Sequence, residues 1–278
     1  MRKHVYLCTC IVATILLAGC CLWKRDTSSS SDAGHSDRGP PASGLSSLDA
    51  RVANLAQHSA CAHTYWKDRG VAPVGYVKRM ALTYAKSVCE TVRHRDAASK
   101  VMGQPVGGQD RDALAWYGLS GADDLIRLRA AYTMAIGLGM RESSGNTTDG
   151  VDTHKRTLPT PSNAEAGLFQ ASHDSLRASF WLGHLYEQYS KTPEQCRLDI
   201  FREGIRDLHR DIVGTGPEAD FQRFTKACPA FATEYAVVML RVRRDHFGTV
   251  NVRRVEYIPS CESMLKAVEA TVMGDCSE

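Results

Sequence analysis

Two short segments hold the residue types that could do chemistry: Glu142-Ser143-Ser144-Gly145-Asn146, and Ala166-Gly167-Leu168-Phe169-Gln170 further along the chain. The first puts a carboxylic acid at the end of an apolar, helix-patterned run. A carboxyl group partly sheltered from water keeps its proton to higher pH, which a general acid needs in order to protonate a leaving oxygen. Ser143 is either the hydroxyl that orients this acid or a plain turn-forming serine, and Ser144, Gly145 and Asn146 suit a tight turn. In the second segment, Gly167 permits close backbone approach, and the Gln170 amide both donates and accepts hydrogen bonds. Sugar hydroxyls are natural partners for such a group, whereas Leu168 and Phe169 also fit a simple apolar turn. Asp149 and Asp152 lie between the segments, in a loop rich in Thr, Gly and Pro. They read as exposed turn residues or as the second carboxylate that an inverting glycosidase requires. Glu165, beside the second segment, has a turn-surface reading as well.

Together these segments resemble the lytic transglycosylase and goose-type lysozyme superfamily. Its signature is a helix-terminal Glu-Ser with a later Gly-Leu-Met-Gln-like element, here with Phe169 where methionine is usual. The resemblance covers roughly residues 114–185. It implies an all-α, lysozyme-like domain that cuts peptidoglycan glycan strands between N-acetylmuramic acid and N-acetylglucosamine, without a cofactor or metal. It further implies Glu142 as the proton donor, Ser143 as its orienting partner, and Gly167, Leu168, Phe169 and Gln170 in the substrate groove. A single glutamate can serve twice in a non-hydrolytic lytic reaction, the favoured route. The alternatives are an inverting hydrolase and a non-catalytic lipoprotein that binds peptidoglycan through the same groove. The chain departs from the pattern in two places. The link from Thr147 to Glu165 is long, and the late Tyr-Asn-Ala-Gly element of many transglycosylases is missing. The segment from His246 to Asn251 is a polar loop of similar character without matching it.

At the N-terminus, Arg2, Lys3 and His4 precede an apolar run from Val5 to Leu17. A basic start, a run of this length and small residues before the cut describe a secretory signal. The run is short for a spanning helix, which needs about 20 apolar residues. Leu17-Ala18-Gly19-Cys20 resembles the bacterial lipobox, which implies residues 1–19 as signal peptide and Cys20 as the lipidated first residue of an envelope lipoprotein facing the periplasm. Cys21 follows rather than aspartate, so no inner-membrane retention signal is evident, and the outer membrane is the expected location. Residues 20–47, with serines 28–31 and Pro40-Pro41, cannot bury enough apolar surface to order themselves and read as a flexible tether.

Beyond the tether, apolar residues recur at helical spacing over Leu48–Trp66 and Val74–His94, an expected N-terminal helical hairpin within about 48–110. A glycine-rich loop (Gly103–Gly108) follows, then a helix after Ser120-Gly121-Ala122-Asp123 that carries Leu125, Leu128, Tyr132, Ala135, Ile136 and Gly139 on one face and ends near Met140. Further helices are expected over Asp174–Tyr189, Pro193–Ile205, Glu218–Lys226, Pro229–His246 and Ser260–Met273. Only Val250–Tyr257 alternates like a strand, so the fold class is all-α with at most a minor β-element.

Cys61, Cys89, Cys196, Cys228, Cys261 and Cys276 form an even set without a Cys-x-x-Cys. In an exported chain they read as three disulfides. Pairing by neighbourhood (61–89, 196–228, 261–276) is the simplest expectation. With 34 Lys and Arg against 31 Asp and Glu, bulk charge gives no warrant for nucleic-acid binding. The clusters Arg241, Arg243, Arg244 and Arg253, Arg254 read as solvated helix faces or as contacts to anionic glycan or lipid. His184 and Glu187, one turn apart, read as a packed or surface pair rather than a metal site. Protein partners are not legible at this level.

Overall fold

The computed structural model describes residues 46–93, 101–104, 107–151, 158–196 and 212–277. Cys20, the signal and tether, Asp152 and the expected helix beyond Cys196 lie outside these described residues. The described chain is mostly helical, and its one sheet among those residues has two short strands.

Helix α1 (Ser47–His58) starts where the Ser46 hydroxyl caps the Asp49 N–H, and α2 runs Val74–Arg93. Between them Tyr65–Trp66 (β1) pairs antiparallel with Gly70–Val71 (β2) in a tight hairpin. Two-residue strands are too short to print a period on the sequence, which is why they read as a continuation of α1. Helix α3 (Ala113–Tyr117) is capped by Asp112. The long helix α4 (Asp124–Ser143) is capped by the Asp123 side chain, which accepts from the Ile126 N–H, and Asp124 complements its dipole. Then come α5 (Phe180–Lys191), α6 (Pro217–Ala227) and α7 (Pro229–Val242), the last two with proline in the first turn, where the missing N–H costs nothing. A single helical turn, α8 (Gly248–Asn251), and α9 (Pro259–Val272) finish the fold.

Two helices form the centre. Helix α4 is buried at every position from Arg127 to Met140 except Arg129, and α7 from Pro229 to Arg241. The single apolar face expected on α4 is therefore only part of its burial: neighbours pack around it, with α2, α7 and α9 all touching it. Helix α1 lies against α2 and α9, and α5 and α6 cover α7. Glu269 of α9 accepts hydrogen bonds from Tyr84 of α2 (2.9 Å) and Arg129 of α4 (2.7 Å), a polar clamp across three helices.

Four findings correct the sequence expectations. Val250–Tyr257 is not a strand: α8 ends at Asn251, and the residues after it form an irregular turn with Val252 outward and Val255 buried. Arg241 is not on a solvated face. It is fully buried and bidentate to Asp112 at 3.0 and 2.9 Å, and it also donates to the Met102 and Gln104 carbonyls. Cys196–Cys228 pairs as expected, but the other cysteines cross: Cys61 with Cys261 and Cys89 with Cys276. Because α9 packs along both helices of the N-terminal hairpin, each cysteine there meets one from the C-terminus rather than its neighbour in sequence. Lastly, the expected helix over Asp174–Tyr189 is divided: a 3₁₀ turn (His173–Ala178) precedes α5. On α5, His184 stacks against Phe180 and Glu187 pairs with Lys191.

Candidate active site

Helix α4 continues to Ser143, so Glu142 sits in its last turn rather than just past it. Ser144 adopts a left-handed φ of 56° and stops the helix, its N–H returning to Met140 and that of Gly145 to Gly139. The Glu142 side chain is half-buried. Its pKa is raised, chiefly because burial disfavours the carboxylate. Thr249 donates from Oγ1 to Glu142 Oε1 at 2.6 Å and pulls the other way. The negative charge of Glu165 raises the pKa further, and Arg69 and Arg141 lower it. The C-terminal end of the α4 dipole, being negative, also disfavours the charged form. Desolvation outweighs the hydrogen bond, which leaves a positioned carboxyl group that holds its proton longer than an exposed glutamate.

Ser143 does not orient the acid. Its buried Oγ lies 2.8 Å from the Leu168 carbonyl and 3.1 Å from that of Gly139. Its role is to clip the end of α4 to the second motif. The orienting hydroxyl comes from Thr249, 107 positions away in sequence. The polar segment from His246 to Asn251 was the only sign of it in the sequence.

The second motif is a tight turn closed by an Ala166–Ala171 bridge. Gly167 has φ +75°, and a Cβ there would come within 3.0 Å of the Thr225 side chain and 3.1 Å of its carbonyl, so the position needs glycine twice over. Leu168 and Phe169 are buried core residues, and Phe169 packs on α4 beside Gly139. The Gln170 amide donates to the Gly167 carbonyl at 3.1 Å within its own turn. The motif therefore packs against the end of α4 at Ser143 and Gly139, and the groove contacts expected of Leu168 and Phe169 are replaced by packing. Asp149 joins the two motifs through its backbone: its carbonyl accepts from the Gly167 N–H at 3.0 Å, and its carboxylate accepts from the Gly150 N–H. The carboxylate whose charge acts on Glu142 is that of Glu165.

Gly137 fixes the approach of the segment that carries Thr249. A Cβ there would fall 2.1 Å from the Glu256 carbonyl oxygen, so residues 255–256 lie directly on the α4 backbone. Two pockets lie among the neighbouring residues, and Glu142 itself lines neither. One, of about 280 Å³, is lined by Glu165, Asn163, Asp174, Arg243 and His246 among others. The other, of about 540 Å³, includes Arg141, the residue next to Glu142. Both have mostly polar and charged linings, suited to a hydroxyl-rich polymer rather than to an apolar ligand.

Among the described residues no cluster of histidine, cysteine and carboxylate side chains has the grouping of a metal site. Compared with protein-family models, curated proteins and solved structures, the chain finds no match.

Thr249→Val tests the role of the hydrogen bond. Removing a donor that stabilises the carboxylate raises the Glu142 pKa further. A reaction that needs the protonated acid then keeps its rate to higher pH, so the basic limb of the kcat/KM profile is expected to move upward. An unmoved limb with normal folding would show that Thr249 does not touch the working acid.

Proposed function

We propose that this protein cleaves the glycan strands of peptidoglycan, with Glu142 as the general acid. The observation that carries the reading is a half-buried helix-terminal carboxyl whose pKa is raised by burial and whose position is set by Thr249, with Glu165 and Arg141, whose charges act on it, each lining a polar pocket. Glu142 protonates the glycosidic oxygen as the C1–O bond breaks. In the non-hydrolytic route the resulting carboxylate then takes the proton from the muramic acid C6 hydroxyl as O6 bonds to C1, which closes a 1,6-anhydro ring and restores the acid. One carboxyl group suffices, and the reaction needs no cofactor.

Glu165 supports a second reading. Its charge acts on Glu142 and it lines a polar pocket, and a second carboxylate about 6.5–9.5 Å from the acid is what an inverting hydrolase uses to activate water. Mass spectrometry of the released muropeptides decides between the two. Anhydro ends, lighter by one water than hydrolysed ends, are the expected product. Reducing ends alone, with activity lost in Glu165→Gln, would establish the hydrolase.

The enzyme is further proposed to be anchored in the bacterial envelope, facing the periplasm, by a lipid on Cys20. The three disulfides support an oxidising compartment, and no described helix is long and apolar enough to cross a membrane. Cys20→Ser is expected to release the protein from the membrane fraction or stall its processing. Unchanged retention with normal signal removal would defeat the lipid anchor.

A further inference from the structure

The larger pocket, which Arg141 lines next to Glu142 in sequence, has a chemistry that cleavage alone does not call for. Its walls are the β1–β2 turn, which contributes Lys67 and Asp68, the last turn of α4 with Arg141, and the segment after α8 with Arg253, Arg254 and Glu256. Four cations face two carboxylates, and the carboxylates do little to neutralise them. Glu256 Oε1 accepts from the Lys67 backbone N–H at 3.0 Å, and Asp68 is largely exposed and 3.9 Å from Arg141. Among the described residues, neither the Arg254 guanidinium nor the Lys67 ammonium has a side-chain hydrogen bond or ion pair.

The backbone that presents Arg254 is held in an unusual shape. Arg253 has φ 51°, a left-handed conformation costly for a residue with a Cβ and kept only where surroundings enforce it. Here the enforcement is visible. The Arg253 guanidinium lies 4.4 Å from the Trp116 ring centroid and donates to the Trp116 carbonyl at 2.7 Å, while Arg244 covers the same ring at 4.3 Å. The Arg254 N–H bonds to the Thr249 carbonyl at 2.9 Å. One short segment thus delivers the hydroxyl that holds Glu142 and, five residues later, a guanidinium that lines the larger pocket and has no side-chain partner among the described residues. A guanidinium fork binds carboxylates in a bidentate manner that neutral sugar hydroxyls cannot match.

We propose that this pocket is an anion subsite, in which Arg254 and Lys67 bind a carboxylate carried by the muramic acid residue next to the bond being cut. The proposal rests on the glycan-cleaving reading. That carboxylate has two sources, the stem's own carboxylates where a peptide is attached by an amide to the lactyl group, and the lactyl carboxylate where it is not, and both present the same chemistry to the pocket. The consequence is selectivity: strands whose muramic acids carry the carboxylate bind better than a neutral glycan of the same length.

The test uses Glu142→Gln protein, so that strands are bound and not consumed, with and without the added pair Lys67→Gln and Arg254→Gln. Both added sites are exposed, so the fold is retained. Affinity is measured at low salt for stem-bearing glycan strands, for strands stripped of peptide by an amidase, and for a neutral N-acetylglucosamine hexamer. The added pair is expected to weaken binding of stem-bearing strands by about tenfold, the scale of a lost hydrogen bond to a charged group, and to leave the hexamer unchanged. If stripped strands, whose lactyl carboxyl the amidase has freed, lose as much, the pocket accepts either carboxylate; if they lose nothing, it takes the stem's alone. Equal binding of all three glycans by both proteins, or equal loss on all three, overturns the subsite alone. No binding of any glycan by the Glu142→Gln protein removes the glycan reading, and the subsite with it.

Discussion

Glu142→Gln is expected to abolish glycan cleavage while leaving glycan binding intact, with the rate falling by about 10² to 10⁴-fold, the range of a general acid's contribution. Glutamine keeps the shape and can still accept from Thr249 Oγ1 at the position that now holds Oε1. What it cannot do is give up a proton. The same substitution has a second, opposite consequence for the fold. Because burial raises the folded-state pKa of Glu142, the native state binds the proton more tightly than the unfolded chain does. Stability is therefore greatest below the unfolded pKa and is lost as pH rises through the folded value. Glutamine has no charge to bury, so Glu142→Gln is expected to melt higher than wild type at neutral pH, with the difference vanishing in acid. Zymography on purified cell wall and melting curves across pH check the two halves. More than a tenth of wild-type activity remaining would remove Glu142 from its role, and a non-catalytic binding protein would explain an inactive wild type that still binds.

The sheltered carboxyl was legible in the sequence because its requirements are local: a glutamate at the end of an apolar run lies where that helix enters the core. The partner was not legible. Thr249 reaches Glu142 only because residues 255–256 lie flat on α4 at Gly137, a close approach that no spacing rule announces. Ser143 was misassigned for a related reason, since a serine beside an acid in sequence points elsewhere on a helix, here to the carbonyls of Gly139 and Leu168. The helices were legible from their period, apart from ends and short elements. Val250–Tyr257 imitated a strand through its residue types alone, since Val252, Arg253 and Arg254 are exposed in a row and only Val250 and Val255 are buried. Leu168 and Phe169 show the limit of motif reading: their apolar character is fully used by the core, so what marks the motif is Gly167, which alone fits against Thr225. Arg241 could not be told from its neighbours Arg243 and Arg244 until Asp112 was brought opposite it, 129 positions away.

The disulfides carry the second large effect. Cys61–Cys261 closes a loop of 200 residues, and loop entropy assigns such a bridge about 5 kcal/mol in the chain-entropy account. Cys89–Cys276 has a separation of 187, but once the first bridge exists it closes a shorter circuit through both chain ends, roughly 45 residues, worth about 4 kcal/mol on the same account. Measured bridges commonly give about 2–5 kcal/mol each, against a total stability of about 5–15 kcal/mol for a domain. Replacing all four cysteines by alanine is therefore expected to leave the domain unfolded or barely folded at 37 °C. Losing Cys61–Cys261 alone is expected to lower the melting temperature and also to weaken glycan binding. That bridge joins the turn before β1 to the start of α9, near the walls that carry Lys67 and Glu256. Two other contacts span the same seam, Lys67 N–H to Glu256 at 3.0 Å and Thr64 to Ser260 at 3.0 Å, but neither is covalent. Thermal unfolding of Cys61→Ala/Cys261→Ala, with peptide mapping of the unreduced wild type, tests both points. An unchanged melting temperature, or a recovered Cys61–Cys89 peptide, would refute the crossed pairing and the account of how the basic pocket is held in shape. With the crossed pairing confirmed, KM is expected to respond to loss of the bridge more than kcat, because the bridge anchors the side of the pocket that carries Lys67, while residues 255–256 rest on α4 at Gly137 and keep Thr249 against Glu142.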